Sequence, residues 1–210
     1  MDKDRIQRKA ARSFKTSNGW SSRGYLPHFH REGVIQFITI RLADSLPRHV
    51  QNILDAELAV LKSSGLDPDG VGYQRCKRIE TLLDAGYGSC SLRAMRVAEI
   101  VLHALRILEA EGNEIVRWVI MPNHIHLLIR VRSGASLQSV MRSFKGRTGK
   151  EANKILGTSG RFWFPEFFDR YIRDGEHLRR VIRYIDQNPV RAGLVRMAAD
   201  WPFGSLGCSK

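Results

Sequence analysis

Two histidines one residue apart, in Met121-Pro122-Asn123-His124-Ile125-His126-Leu127-Leu128-Ile129, share one face of a strand because successive side chains alternate. Ile125, Leu127 and Ile129 then point the other way, into a core. A pair of imidazoles on one face is a metal-binding geometry, and imidazole suits manganese, zinc and related ions better than magnesium. Further on, Arg183-Tyr184-Ile185-Asp186-Gln187-Asn188-Pro189 sets a phenol and a carboxamide one helical turn apart. Tyr184 is a nucleophile if an electrophile is activated beside it, and a cation held by His124 and His126 could polarise a phosphate in that role. Asn188 can add a neutral carbonyl oxygen as a third ligand, with Gln187 as the alternative. A helical projection places both Tyr184 and Asn188 on the flank of a stripe made by Leu178, Val181, Ile182 and Ile185, with His177 nearby.

Other chemistries find little support. No Asp/Glu group adjoins the histidines in sequence, which disfavours a two-metal carboxylate nuclease. There is no H-E-x-x-H helix, no serine elbow and no Gly-rich phosphate loop opening a helix, so a protease, a serine hydrolase and a nucleotide cofactor are not expected. A second H-x-H, His28-Phe29-His30, follows Pro27 in a loop and is read as a bystander.

The chain is strongly basic: 34 Lys and Arg against 21 Asp and Glu give a net charge of +13. Such a balance suits a polyanion, since phosphate neutralisation and counterion release supply most non-specific nucleic-acid affinity. At 210 residues, 43% hydrophobic, one domain is expected, with no membrane partner. Basic, polar early residues without an apolar run point to the cytoplasm. Three scattered cysteines, Cys76, Cys90 and Cys208, indicate neither a disulfide frame nor a zinc knuckle.

The elements that must hold the site follow from periodicity. A basic arm over residues 1–23 precedes a main domain over 24–206 and a short tail over 207–210. Val34 to Leu42 reads as a buried strand, followed after Pro47 by a helix with apolar positions Ile53, Leu54, Leu58, Val60 and Leu61. Residues 65–92 read as an insertion: turns at Pro68-Asp69-Gly70 and Gly86-Tyr87-Gly88 flank a short helix from Gln74 to Leu83. A helix from Leu92 to Ala110 and an antiparallel strand pair around Met-Pro-Asn come next. Ser136 can cap a helix that buries Leu137, Val140, Met141 and Phe144, while Gly146 and Gly149 weaken its middle. Its basic face, Arg142, Lys145, Arg147 and Lys150, is the candidate DNA-binding surface. A strand from Phe167 to Arg173 and a final helix from Gly175 to Asn188, stopped by Pro189, complete an α+β fold, an antiparallel sheet covered by helices.

Taken together, Met-Pro-Asn-His-Ile-His-Leu-Leu-Ile, Ser143-Phe144-Lys145-Gly146, Phe168-Asp169-Arg170, Tyr184 to Gly193 and Trp201-Pro202-Phe203 closely resemble the REP-associated tyrosine transposases. These are HUH single-strand transposases related to IS200-type elements. The resemblance implies a ferredoxin-like domain that cleaves and rejoins single-stranded DNA near hairpins, as a monomer or homodimer. It assigns His124 and His126 as ligands of a divalent metal ion, magnesium or manganese, Tyr184 as the nucleophile and Asn188 as the third ligand. A non-cleaving nucleic-acid-binding protein and a rolling-circle-type nickase are the alternatives.

Overall fold

A computed structural model of the chain describes residues 33–65 and 67–207, with the backbone of three short strands before them. Those strands, β1 (Phe14–Lys15), β2 (Trp20–Ser22) and β3 (Pro27–Phe29), form a small antiparallel sheet. The rest of the expected arm, His30 and Cys208 lie outside the described residues. No helix among the described residues is long and apolar enough to cross a membrane.

The main sheet contains β4 (Ile35–Arg41), β5 (Glu114–Ile120), β6 (His124–Arg130) and β7 (Phe168–Tyr171), in the spatial order β5-β6-β4-β7 with every pair antiparallel. Counting only these four, the order is second-third-first-fourth along a β-α-β-β-α-β chain, the ferredoxin-like arrangement. Both faces of its two central strands are covered, so β4 and β6 are rich in Ile and Leu rather than alternating with exposed polar residues.

The described residues form five α-helices, α1 (Arg48–Ser63), α2 (Pro68–Asp84), α3 (Met95–Ala110), α4 (Leu137–Leu156) and α5 (Gly175–Arg191), of which the last three cover the sheet. On one face Ile38, Ile40, Ile125, Leu127 and Ile129 pack with Val97, Val101 and Leu105 of α3 and Met141 and Phe144 of α4. On the other, Phe37, Val119, Met121 and Leu128 meet Val181 and Ile185 of α5. The pleat thus sends Ile125 and its alternate neighbours to the α3/α4 side and the two histidines to the α5 side. Arg117 of β5 anchors α5 through two short contacts to the Asp186 carboxylate, 2.9 and 3.0 Å.

The segment read as an insertion is more ordered than its turn signals suggested. Pro68-Asp69-Gly70 is the first turn of α2: Asp67 caps it by accepting from Gly70 N at 2.7 Å, and proline is preorganised for that position. α2 packs on α1 through Val50, Leu54 and Leu58 against Val71, Leu82 and Leu83, a cluster separate from the two on the sheet. Ile53 and Val60, expected in the apolar stripe, face solvent because α2 covers only one narrow side of α1.

α5 also runs further than expected, through Pro189 to Arg191. The proline removes a single donor in the last turn and is itself buried, so the helix tolerates it there. In α4, Ser136 does cap the helix, accepting from Ser139 N. The two glycines of α4 differ. A Cβ on Gly149 would sit 3.4 Å from Phe162 and Trp163, so this position accommodates the aromatic loop, whereas nothing lies within 4 Å of one on Gly146. Gly146→Ala should therefore stabilise the protein by about 0.5–1 kcal/mol through helix propensity alone. Urea unfolding checks this, and a loss of stability would mean that position 146 is under a constraint other than helix formation.

Candidate active site

His124 and His126 are buried to 1% and 0% exposure, and their Nε2 atoms stand 3.1 Å apart. Each ring is held from behind. The β4–β6 register puts Thr39 opposite His126, and its hydroxyl lies 2.9 Å from His126 Nδ1. His124 Nδ1 lies 2.8 Å from Asn123 Oδ1, while the Asn123 amide nitrogen donates to the Tyr87 carbonyl at 3.0 Å and so fixes which end faces the ring. An amide oxygen only accepts; His124 therefore carries its proton on Nδ1 and keeps a lone pair on Nε2. The Thr39 hydroxyl can donate or accept, so His126 can place its proton on either nitrogen. On Nε2 the proton satisfies His124; on Nδ1 it frees both Nε2 lone pairs.

Burial keeps both rings neutral. It pushes His124 down to about 3, and it pushes His126 well below the ordinary value of 6.5, with the charges of His124 and Arg191 acting in the same direction. Neutral imidazole is the form that binds metal.

α5 delivers the other two expected residues to this point. Tyr184 lies 5.2 Å from His126, ring centre to ring centre, and edge-on to Phe37 at 5.9 Å, while Phe37 stacks on His126. Asn188 is fully buried; its amide makes no well-formed hydrogen bond, and its neighbour is the Asp84 carboxylate, whose pKa it lowers. Gln187, the alternative ligand, faces solvent. His177 does not join the site as a ligand: its ring accepts from Arg173 N at 3.2 Å, and its backbone N–H donates to the capping Asp174 carboxylate.

Distant in sequence, a carboxylate of α2 nevertheless adjoins the histidines in space. Asp84 Oδ1 lies 4.0 Å from His124 Nε2, while Asp84 Oδ2 lies 3.7 Å from Arg191 Nη2. Glu80, one turn earlier, lines the same cleft as Tyr184. Burial raises both carboxyls above their ordinary values. Tyr184 is pushed far above 10, first by burial and then by the charges of Glu80 and Asp84; Arg191, 5.0 Å from its ring, opposes this. No local pattern could announce these acids, because they meet the histidines only through the docking of α2. Tyr87 is in the same position, since the turn expected at residues 86–88 carries the carbonyl that orients Asn123.

The basic candidates on α4 are not beside this site. α4 covers the opposite face of the sheet, so Arg142, Lys145, Arg147 and Lys150 are separated from Tyr184 by the sheet itself. Arg142 and Lys150 are exposed, and Arg147 lies 3.5 Å from Glu111. Lys145 donates to the Phe164 and Pro165 carbonyls, both at 2.7 Å, and burial lowers its pKa to about 8. It clasps the aromatic loop. Besides Arg191, the cations near Tyr184 are Arg170, Arg173 and Arg180, which line a cleft of about 410 Å³ with Tyr73, Glu80 and Tyr184.

Among the described residues no three His, Cys, Asp or Glu side chains form a closed metal cage. A cation here would have to use the amide of Asn188 with the two imidazoles, and the buried Asn188 Oδ1, which makes no well-formed hydrogen bond, fits that use. Donor atoms about 2.1 Å from one ion lie roughly 3.0 to 4.2 Å from each other, a range that includes the histidine pair at 3.1 Å.

Acid should destabilise the metal-free protein through these rings. Their folded-state pKa values are depressed, so between the ordinary 6.5 and about 3 for His124 the unfolded chain binds protons that the folded chain refuses. Stability is then fully present above pH 6.5 and is lost as pH falls, with a limiting slope of about 1.4 kcal/mol per pH unit for each histidine. Denaturant unfolding in EDTA between pH 7.5 and 5 measures it; a flat profile would mean that the rings take up protons while folded.

Comparison with known proteins agrees with the geometry. Residues 94–188 match the family described as "Transposase IS200 like". The chain is 32% identical over 110 residues to a REP-associated tyrosine transposase of Escherichia coli K12, a match covering 51% of this chain and 64% of that protein. The chain therefore spans less than two thirds of that relative. In fold it superposes on a REP-associated tyrosine transposase bound to a REP hairpin with a TM-score of 0.56 at 21% identity, over 86% of this chain and 81% of the other. The stretch from α3 to Asn188, which carries the histidine pair and the tyrosine helix, is the part that matches the IS200-like transposase family, and the likeness to the REP-associated tyrosine transposases expected from the motifs is borne out.

Proposed function

We propose that the protein is a metal-dependent tyrosine transposase that cleaves and rejoins single-stranded DNA beside hairpins, with Tyr184 as the nucleophile. One observation carries this reading: Tyr184 and the paired Nε2 atoms of His124 and His126 converge at one end of the main sheet, where the buried carboxamide of Asn188 joins them beside Asp84. A non-cleaving binder would have no use for that convergence, whereas phosphoryl transfer uses each part.

His124, His126 and Asn188 would hold a divalent cation, magnesium or manganese, whose contribution is Lewis-acid polarisation of the scissile phosphate. The protein's own groups supply the rest. The Tyr184 oxygen attacks phosphorus; a phosphorus–tyrosine bond forms, the bond to the 3′-oxygen breaks, and the products are a 5′-phosphotyrosine and a free 3′-hydroxyl. Glu80 is placed to take the phenolic proton as that bond forms, and the departing 3′-oxygen gains a proton from solvent. Rejoining is the reverse attack by a 3′-hydroxyl and needs no nucleotide, because one phosphoester replaces another. Arg170, Arg173 and Arg180 line the approach and would hold the strand by its phosphates.

Tyr184→Phe should abolish cleavage and the covalent protein–DNA adduct while leaving hairpin binding in EDTA intact, since only the nucleophilic oxygen is removed. Adduct formation by the Phe variant at the wild-type level, read on a denaturing gel with labelled DNA, would take Tyr184 out of the mechanism. Replacing Arg170, Arg173 and Arg180 together by Gln should weaken single-strand binding and flatten the slope of log K against log salt by about 2, at roughly 0.7 per phosphate contact. The corresponding change at Arg142 and Lys150 should leave the slope near its starting value. If α4 moves the slope and the cleft does not, the DNA path lies on the other face.

A further inference from the structure

We propose that Asp84 of α2 is a further ligand of the metal centre, the one anionic donor in a set that is otherwise neutral. The inference rests on the reading of His124, His126 and Asn188 as a cation site. Three observations point to it. Asp84 is mostly buried, with its side chain 14% exposed, and its Oδ1, which makes no well-formed hydrogen bond, faces His124 Nε2 at 4.0 Å. The Asn188 side chain, completely buried, reaches the same space from α5 and approaches the Asp84 carboxylate closely enough to pull its pKa down, without a well-formed hydrogen bond. The other Asp84 oxygen, Oδ2, faces Arg191 at 3.7 Å, which holds the carboxylate at the rim and leaves Oδ1 turned inward.

Buried polar atoms without a well-formed hydrogen bond are rare in folded proteins, and two such oxygens, Asp84 Oδ1 and Asn188 Oδ1, belong to neighbouring side chains beside the histidine pair. A hard divalent cation answers both oxygens together, while the Asn188 amide nitrogen, a donor only, stays turned toward the carboxylate. The separation of 4.0 Å lies at the wide end of what two donors on one ion allow, so the cage closes when Oδ1 is drawn in. Charge supplies the chemical reason: two imidazoles and an amide leave both positive charges of the ion uncompensated in a site closed to water, and a carboxylate offsets one of them.

The structural consequence lies in α2. Because α1 and α2 share an apolar cluster of their own, a metal bond from Asp84 would tie that helix pair to the sheet. Binding of the ion would then order α2 as well as charge the site.

Manganese(II) titration of the whole protein, followed by EPR of the free ion, tests this with Asp84→Asn, Asp84→Ala and His126→Ala beside the wild type. Both Asp84 variants should bind manganese at least about tenfold more weakly, while in EDTA they melt no lower than the wild type and bind hairpin DNA as well. Hydrogen exchange should show manganese slowing the amides of α2 in the wild type and not in Asp84→Ala. Wild-type affinity in both Asp84 variants, alongside loss in His126→Ala, overturns the role of Asp84 and leaves the histidine site standing. A melting temperature lowered in EDTA with unchanged manganese affinity makes Asp84 a structural partner of Arg191 and likewise overturns the proposal. If the wild type itself binds no manganese, the metal reading and the inference fall together.

Discussion

Two imidazoles in Nε2-to-Nε2 contact, sealed from water, cannot both be charged and cannot both donate. That restriction governs the surroundings of His124 and His126. Asn123 must present its oxygen, which requires something to hold its nitrogen, and the Tyr87 carbonyl does so. Thr39 must be able to reverse its hydrogen bond, which a hydroxyl can do and an amide cannot without flipping. Phe37 stacks on His126 and blocks water from that side. The outcome is a neutral pair with lone pairs available at one point, supported by residues from β4, the turn at 86–88 and the residue just before β6. Orientation by such outer partners is what makes metal-ligating histidines effective.

Much of this was legible in the chain. Period-2 alternation in His124 to Ile129 separates ligands from core, and the structure divides them in the same way. The helical stripe of α5 predicts which side packs on the sheet, and the one-turn spacing of Tyr184 and Asn188 brings both to the site. Burial separates Asn188 from Gln187, because Gln187 turns to solvent. Periodicity does not say which face of a sheet a helix will cover. A basic helix following the histidine strand was the natural place to look for DNA contacts, yet α4 crosses to the far side, as the second crossover of a β-α-β-β-α-β sheet requires. Arg170, Arg173 and Arg180 gave no comparable signal. Two lie at or just after a short strand and one on a helix, and they share a cleft only after β7 and α5 have packed.

Segment 65–92 shows a different limit. Pro and Gly near Asp67 read equally well as a turn or as a helix start, and the capping bond to Gly70 decides between them. Once α2 is a helix, its last two turns must lie over the histidine end of the sheet, bringing Glu80 and Asp84 with them. An acidic residue is costly to bury without a partner, so its presence beside two neutral histidines is itself a constraint that a cation or a strong hydrogen bond must relieve.

The same helix couples the groups on either side of the candidate nucleophile. Arg191 reaches both Asp84 and the Tyr184 ring, so the positive end of α2's acidic contact is also the charge that favours a phenolate. Removing the pull of Asp84 on Arg191 would leave the guanidinium nearer to the phenol; strengthening it would leave Tyr184 more protonated. α5 is pinned on the other side by Arg117 and Asp186, so Tyr184 cannot follow if Arg191 moves. The α1/α2 pair rests on its own apolar cluster rather than on either face of the sheet, so the distance between Tyr184 and the two α2 carboxylates depends on how that pair docks.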